Sequence, residues 1–525
     1  SIGVATFDGL DAEGNAYESI NINIFGPADT LTSQPINLSS FVPGDSLYLS
    51  FFYQAQGLSY EVLKTSDSLV LQFKNRIGAW LNVWSSPGIT QQPFKQALVA
   101  VKDTMYLHGT FQFRWINYQQ YLGNLKQWHV DYVYLNQGRN AQDTLIEDQA
   151  VVELPPSPFQ PYTHIPWNHV QQNFGKYLRS SFVVPVSNLA NSGETFSVSM
   201  RVENPGGTVG FASLSGQNLP AKGITPFTLS PNISLQTGGG DSSYVRVISR
   251  LGDILGGNDI KKNDSAVRYI ELANYYAYDD GTAESGYGIR NASGSVAYGF
   301  ELEKGDSLRG IWIHFTQAEQ QVRNGFALNV WTKIAPENEP SSGVDELVYS
   351  KESGIPAYTD SINGFYLYLL DSAVYVSGTC YIGWTQNSSF LINVGLDRNY
   401  RHQGAAVPNP KLFYNVNGSW KRSSVPGTIM MRPVVGDMWP TPSGVPQKAE
   451  IPTTRVYPNP AHHSVTIQSE REWNAVQVID LQGKSQMIVD HYQSELDISG
   501  LKPGMYLLRV LHANGTIASI KLSVE

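Results

Sequence analysis

Few residues in this chain stand at the spacings that catalysis requires. Metalloproteases place two His one helical turn apart, in His-Glu-x-x-His, so that both imidazoles reach one zinc. That pattern does not occur. Nor does the Gly-x-Ser-x-Gly turn that exposes a nucleophilic serine; Ser213-Leu214-Ser215-Gly216 is not one. Gly238-Gly239-Gly240 lacks the Lys of a phosphate-binding loop and reads as a plain loop. The single cysteine, Cys380, makes no intrachain disulfide. It sits in the apolar run Thr379-Cys380-Tyr381-Ile382-Gly383-Trp384 and is expected to be a small buried hydrophobe. His164 and His169, five apart around Trp167, could hold a metal, yet no acidic or Cys neighbour adjoins them. His462 and His463 read as solvated. A retaining glycosidase needs only two carboxylates about 5 Å apart, and loops far apart in sequence can supply them. A hydrolase with an unrecognised site therefore stays open as one reading.

The elements that must position these residues are strands. The chain has 525 residues, with 41% hydrophobic, 15% charged and 12% aromatic, including 29 Tyr. That length predicts about three to five domains. Low charge with many Tyr, Thr, Ser, Asn and Gly suits strands and turns. Net charge is −9, which argues against nucleic acid and gives no reason to expect an anionic membrane as partner. No run of 18 apolar residues occurs, so no transmembrane helix is expected. The start at Ser1-Ile2-Gly3 shows no signal peptide and suggests a processed or trimmed terminus.

The fold class is expected to be all-β. Residues 1–153 carry roughly ten short alternating runs, such as Leu69-Val70-Leu71-Gln72-Phe73 and Thr110-Phe111-Gln112-Phe113-Arg114-Trp115, as a two-sheet sandwich requires. The Pro-rich stretch Leu154 to Pro161 predicts a stiff linker or edge segment. Residues 154–270 read as an immunoglobulin-like β domain, with Phe196 to Val202 alternating cleanly. Residues 271–438 hold a third set of strands, opening on Tyr278-Asp279-Asp280-Gly281-Thr282-Ala283-Glu284. A second Pro-rich linker, 439–452, precedes a last domain, 453–525.

The first segment resembles the jelly-roll, lectin-like domains of surface proteins and meprin-type adhesion modules. The matching pieces are Phe7-Asp8-Gly9-Leu10-Asp11, Leu71 to Asn75 with Trp80 and Trp84, and Trp128 to Val133. The third segment resembles a second jelly roll. In such a fold the first and last strands are neighbours, so Asp8, Asp11 and Asp131 would offer hard oxygen ligands to a structural calcium ion; capping of turns by the same side chains is the plainer alternative. Asp279, Asp280 and Glu284 suggest the same in the third domain. Lectin-like jelly rolls stack sugars on exposed aromatics. Trp115, Tyr118 and Tyr121 read as a loop that could do so, whereas Trp80 and Trp84 share strand parity and are expected in the core.

The tail is more specific. It holds Tyr457-Pro458-Asn459-Pro460, a turn from Asp480 to Gly483, Leu501-x-x-Gly504-x-Tyr506, and a closing Lys521-Leu522-x-Val524. Pro458 and Pro460 predict an extended entry, and Tyr506, Leu508 and Val510 share one strand face. The four pieces, in this order at the carboxy end, resemble the type A carboxy-terminal sorting domain of the type 9 secretion system of Bacteroidetes. The resemblance implies passage through the periplasm and an outer-membrane translocon with shuttle and sortase proteins. It also implies cleavage near 442–451 and attachment to a surface glycolipid.

Nine Asp-[Ser/Thr]-apolar triplets occur, where composition alone gives about two. Their hydroxyls are Thr30, Ser46, Ser68, Thr104, Thr144, Ser265, Ser307, Ser361 and Ser372. The pattern resembles the O-glycosylation acceptor of the same bacterial group. Asp followed by Ser or Thr is also good turn chemistry before a strand. The chain is thus expected to be a secreted, cell-surface, non-enzymatic structural or adhesion protein. A glycan-binding protein of a polysaccharide-uptake system is the first alternative.

Overall fold

The computed structural model describes all residues except 1–2, 19–20, 22, 59–60, 172, 236–242, 253–259, 318–324, 338–342, 353–354, 360, 400–410, 437–453, 471–472, 481–484, 490–492 and 513–516. The Gly238–Gly240 loop and the linker before the tail lie outside the described residues. The fold is all-β, a series of antiparallel sheets packed as sandwiches.

In the first sandwich, one four-stranded sheet contains Ala5–Phe7, Trp128–Asn136, Tyr48–Ala55 and Lys95–Ala100. The other contains Phe25–Thr32, Phe113–Gln120, Ser68–Lys74 and Trp80–Pro87. Alternation explains the packing. Leu69, Leu71 and Phe73 point inward to meet Leu49, Phe51, Trp115 and Trp128, while Gln72 and Lys74 face the other way.

The second sandwich pairs a sheet of Gly223–Leu229, Phe182–Asn188 and Gln149–Val151 with one of Gly207–Leu219, Glu194–Asn204, Ser243–Leu251 and Ser265–Leu272. Phe196, Val198, Met200 and Val202 all reach its core, as their alternation predicts. Its first strand begins before residue 154. The Pro-rich stretch is not a free spacer, because Phe159 is fully buried and bridges to Leu178. A single apolar core runs from Val151 to Val435 through the second and third segments. Tyr162 fastens them, with its ring against Tyr276 and Tyr278 and its hydroxyl donating to the Glu301 carbonyl at 2.8 Å.

The third segment is built on a six-stranded sheet and two three-stranded sheets. Cys380 lies on the strand Thr379–Gln386, fully buried, and burial pushes its thiol up to about 12. The tail is a seven-stranded sandwich of three and four strands, closed around Val465, Ile467, Val476, Val478, Leu496, Leu508, Val510 and Leu522.

Candidate functional site

The tail's signature residues, from Tyr457 to Val524, meet at one end of its sandwich. Asp480 is the register partner of Tyr506, and Tyr506 of Leu522. Gly504 lies opposite Val524, and Leu507 opposite Lys521. Asn459 ties the two extremes together. Its side-chain amide donates to the Lys521 carbonyl at 2.7 Å, and its carbonyl oxygen accepts from the Ser523 amide at 2.9 Å. Both X-Pro bonds, Tyr457-Pro458 and Asn459-Pro460, are cis. Tyr506 lies in the core with Leu508 and Val510, and its hydroxyl donates to the Lys502 carbonyl at 2.7 Å. Tyr457 and Lys521 are exposed. Gly483 lies outside the described residues.

The tail does not stand free of the body. Ala475 and Leu511, register partners on its four-stranded sheet, are buried in a cluster with Tyr275, Trp312, Leu367 and Val434. Arg509 beside them is half-buried, within electrostatic reach of Glu271.

The aromatic cluster Trp115, Tyr118 and Tyr121 is not a loop. Trp115 and Tyr118 belong to the strand Phe113–Gln120, where residues three apart face opposite sides. Trp115 is 1% exposed and edge-on to Phe51, so its ring cannot meet a sugar. Tyr118 is half-buried on the other face, and the Tyr121 hydroxyl donates to the Pro27 carbonyl at 2.7 Å. Trp80 and Trp84 do not share a sheet face either. A β-bulge puts Leu71 opposite Trp84 but Gln72 opposite Asn82, which inserts one residue between the two rings. Trp84, half-buried, therefore packs edge-on against Phe51 of the core, whereas Trp80 turns to the outer face beneath Arg114.

Asp8, Asp11 and Asp131 do not converge. Asp131 lies on the strand Trp128–Asn136 beyond the partner of Ala5, whereas Asp8 follows Phe7, the partner of Trp128. The neighbour of Asp8 is Asp29, whose carboxylate accepts from the Asp8 amide at 2.7 Å and from the Tyr17 hydroxyl at 2.8 Å. Asp11 caps its own turn, accepting from the Glu13 and Asn15 amides. Among the described residues no three His, Cys, Asp or Glu side chains gather as a cation requires. Burial, then the charge of Asp29, pushes the Asp8 carboxyl up from 3.8 to about 8. A carboxyl raised on folding holds a proton that the unfolded chain has released. Stability from this pair is thus full in acid and is lost as pH rises toward about 8. The denaturation midpoint is expected to fall across that window, and Asp8→Asn should flatten the fall. An unchanged slope in Asp8→Asn would refute this origin.

The acidic motif of the third domain is a joint. Asp279 pairs with Arg432 in the interior. Asp280 accepts from the Thr282 amide, and its own amide donates to Asp397 at 2.6 Å. Glu284 accepts from the Arg398 amide at 2.8 Å. The same loop meets the first sandwich. The Asn124 side chain donates to the Ala283 carbonyl at 3.0 Å, and Arg398 donates to the Leu58 carbonyl at 2.6 Å. His164 and His169 are engaged separately: His164 with Thr163, and His169 with Tyr276 at 2.7 Å and Asp306 at 2.8 Å.

Of the nine triplet hydroxyls, Thr30, Ser46, Thr104, Thr144, Ser265 and Ser372 are exposed, and Ser68, Ser307 and Ser361 are half-buried. Several of the preceding carboxylates cap turns. Asp45 accepts from the Val42 amide, Asp67 from Lys64, Asp103 from Met105 and Asp306 from Ser307.

Residues 455–525 match the family of secretion system C-terminal sorting domains. No curated protein matches the chain. Among solved structures, a GH2 β-galacturonidase from Eisenbergiella tayi bound to galacturonate shares 10% identity at a TM-score of 0.23, over 52% of this chain and 42% of that one. A putative β-galactosidase from Bacteroides fragilis shares 10% at 0.21, over 53% and 36%. A β-glucuronidase from Bacteroides uniformis shares 12% at 0.20, over 53% and 31%. The chain thus spans under half of each of these structures. Likeness this slight carries no argument about activity. The sorting domain marks the chain as type 9 secretion cargo, exported to the cell surface or the extracellular space.

Proposed function

We propose that the three sandwiches upstream of the tail form a non-enzymatic structural or adhesion protein displayed on the cell surface. The observation that supports this most is how the body's polar groups are used. Asp279 with Arg432, Lys126 with Asp67, and His169 with Asp306 and Tyr276 are braces in the interior. Others join one sandwich to the next, as when Gln317 accepts from the Ala16 amide at 2.9 Å and Tyr132 donates to Asp148. Such an assembly suits bearing load or presenting a fixed surface. The first test compares adhesion of intact cells with and without the chain, alongside hydrolysis of polysaccharide and peptide pools by the purified protein. Unchanged adhesion, or turnover of any pool, would count against this reading.

The family also suggests the later steps: removal of the tail within the linker and attachment of the body to a surface glycolipid. The triplets fit modification during periplasmic passage, with the six exposed hydroxyls as the first acceptors. Native material is expected to show added glycan mass on peptides that hold Thr30, Ser46, Thr104, Thr144, Ser265 or Ser372. Unmodified masses at all six would reduce the triplets to turn chemistry.

A further inference from the structure

The outer face of the first sandwich carries an arrangement that its core does not need. Trp80, Lys74 and Arg114 lie on the side of the sheet opposite Leu71 and Phe73. The Arg114 guanidinium stacks on the Trp80 ring at 4.3 Å, and the Lys74 ammonium is 5.8 Å from the same ring. Neutral amides hold both cations. Arg114 donates through Nε to Gln72 at 2.7 Å, and Gln72 donates onward to Asn82 at 2.8 Å. Lys74 donates to Gln112 at 3.0 Å, and Gln112 donates to the Ser33 carbonyl at 2.8 Å.

Two like charges over one ring repel each other. Elsewhere in this chain, side-chain cations commonly sit against carboxylates, as Lys126 does on Asp67 and Arg432 on Asp279. Here neither cation makes an ion pair among the described residues. The chain as a whole is acidic, at −9, so the pair runs against the general charge. An anion bridging both cations would relieve the repulsion. The stack on Trp80 and the bond to Gln72 hold the guanidinium plane in advance, which lowers the ordering cost of binding. With Nε engaged, the terminal amino groups of Arg114 and the ammonium of Lys74 supply charge-assisted donors. The flanking Gln72, Asn82 and Gln112 offer the mixed hydrogen bonding that hydroxyl-rich chains require.

We propose that this face binds an acidic polysaccharide, one whose repeat carries carboxylate or sulfate groups. The proposal deepens the adhesion reading above and rests on it, since it names the partner of a displayed, non-hydrolysing surface. It replaces the buried Trp115 with Trp80 as the aromatic element.

The test is electrophoresis of the full chain through gels cast with polygalacturonate, dextran sulfate or neutral dextran. The native chain is expected to be retarded in one or both acidic gels, less so as salt rises, and not in dextran. The double variant K74Q/R114Q should weaken binding by about tenfold or more. R114K, which keeps the charge but not the planar fork, should retain part of it. The two charge variants must match the native chain in thermal melting, so that a loss of fold is not read as a loss of binding. No retardation of the native chain in either acidic gel overturns the proposal. So does equal retardation of the folded double variant, which would leave adhesion through another face intact. New reducing ends in the gel would instead overturn the non-enzymatic reading.

Discussion

Asp279→Ala is expected to destabilise the body by about 3–5 kcal/mol, the cost of leaving one partner of a buried ion pair alone. Asp279 and Arg432 are 0% and 3% exposed, and they meet through two bonds, one of them Nε to Oδ2 at 3.1 Å. Without the carboxylate, Arg432 still lies over the faces of Phe365, at 3.9 Å, and Tyr275, neither of which carries a full negative charge. Nearby His164 offers no charge, because burial and then Arg432 itself hold that imidazole neutral. Asp279 also accepts from the Gly281 amide, so the loop that joins the first and third sandwiches loosens with it. The double change Asp279→Leu with Arg432→Met should recover most of the loss, since a well-packed apolar pair avoids the desolvation of two charges. Denaturant titration followed by Trp fluorescence would measure both. A single variant within about 1 kcal/mol of the parent would show the pair to be dispensable.

Ending the precursor after Gly436 is expected to abolish surface exposure, with the body retained in the periplasm. Protease accessibility on intact cells, set against fractionation, measures this. Truncation has a second consequence. It uncovers Tyr275, Trp312, Leu367 and Val434, an apolar face now covered by Ala475 and Leu511 of the tail. An exposed face of this kind invites association, so a retained, aggregated product would confuse the result. Substitution of exposed signature residues avoids this. Lys521→Glu and Tyr457→Ala leave the buried side chains of the tail in place. They should block export without moving the melting temperature. Normal export of both would place recognition elsewhere on the tail. Tyr506→Ala should fail differently, by opening the tail's core and the bond to Lys502.

Much of this was legible in the residues, and the reason is local. Period-two alternation reports which strand face is buried, so Leu69, Leu71, Phe73 and the Phe196–Val202 run could be placed without coordinates. Cys380 followed from its apolar surroundings. The order of Tyr-Pro-Asn-Pro, Leu-x-x-Gly-x-Tyr and Lys-Leu-x-Val was enough to mark the tail and the export route. A bulge, by contrast, carries no reliable mark in composition. One inserted residue turned Trp84 to the inner face, against the core, and Trp80 to the outer face, although both fell on the same parity. The Trp115–Tyr121 segment misled for a related reason, because polar residues on the outer half of a strand look like a loop.

Tertiary structure alone decided which distant residues became neighbours. It brought Asp29 rather than Asp131 to Asp8, joined Asn459 to Lys521, and paired Asp279 with Arg432 across 153 positions. The sequence by itself determined that the chain would be a train of β-sandwiches with an export tail, because strand patterning and short motifs are encoded within a few residues. How charges are paired, which aromatics reach solvent, and how the tail covers the third domain depend on contacts between strands that nothing local specifies.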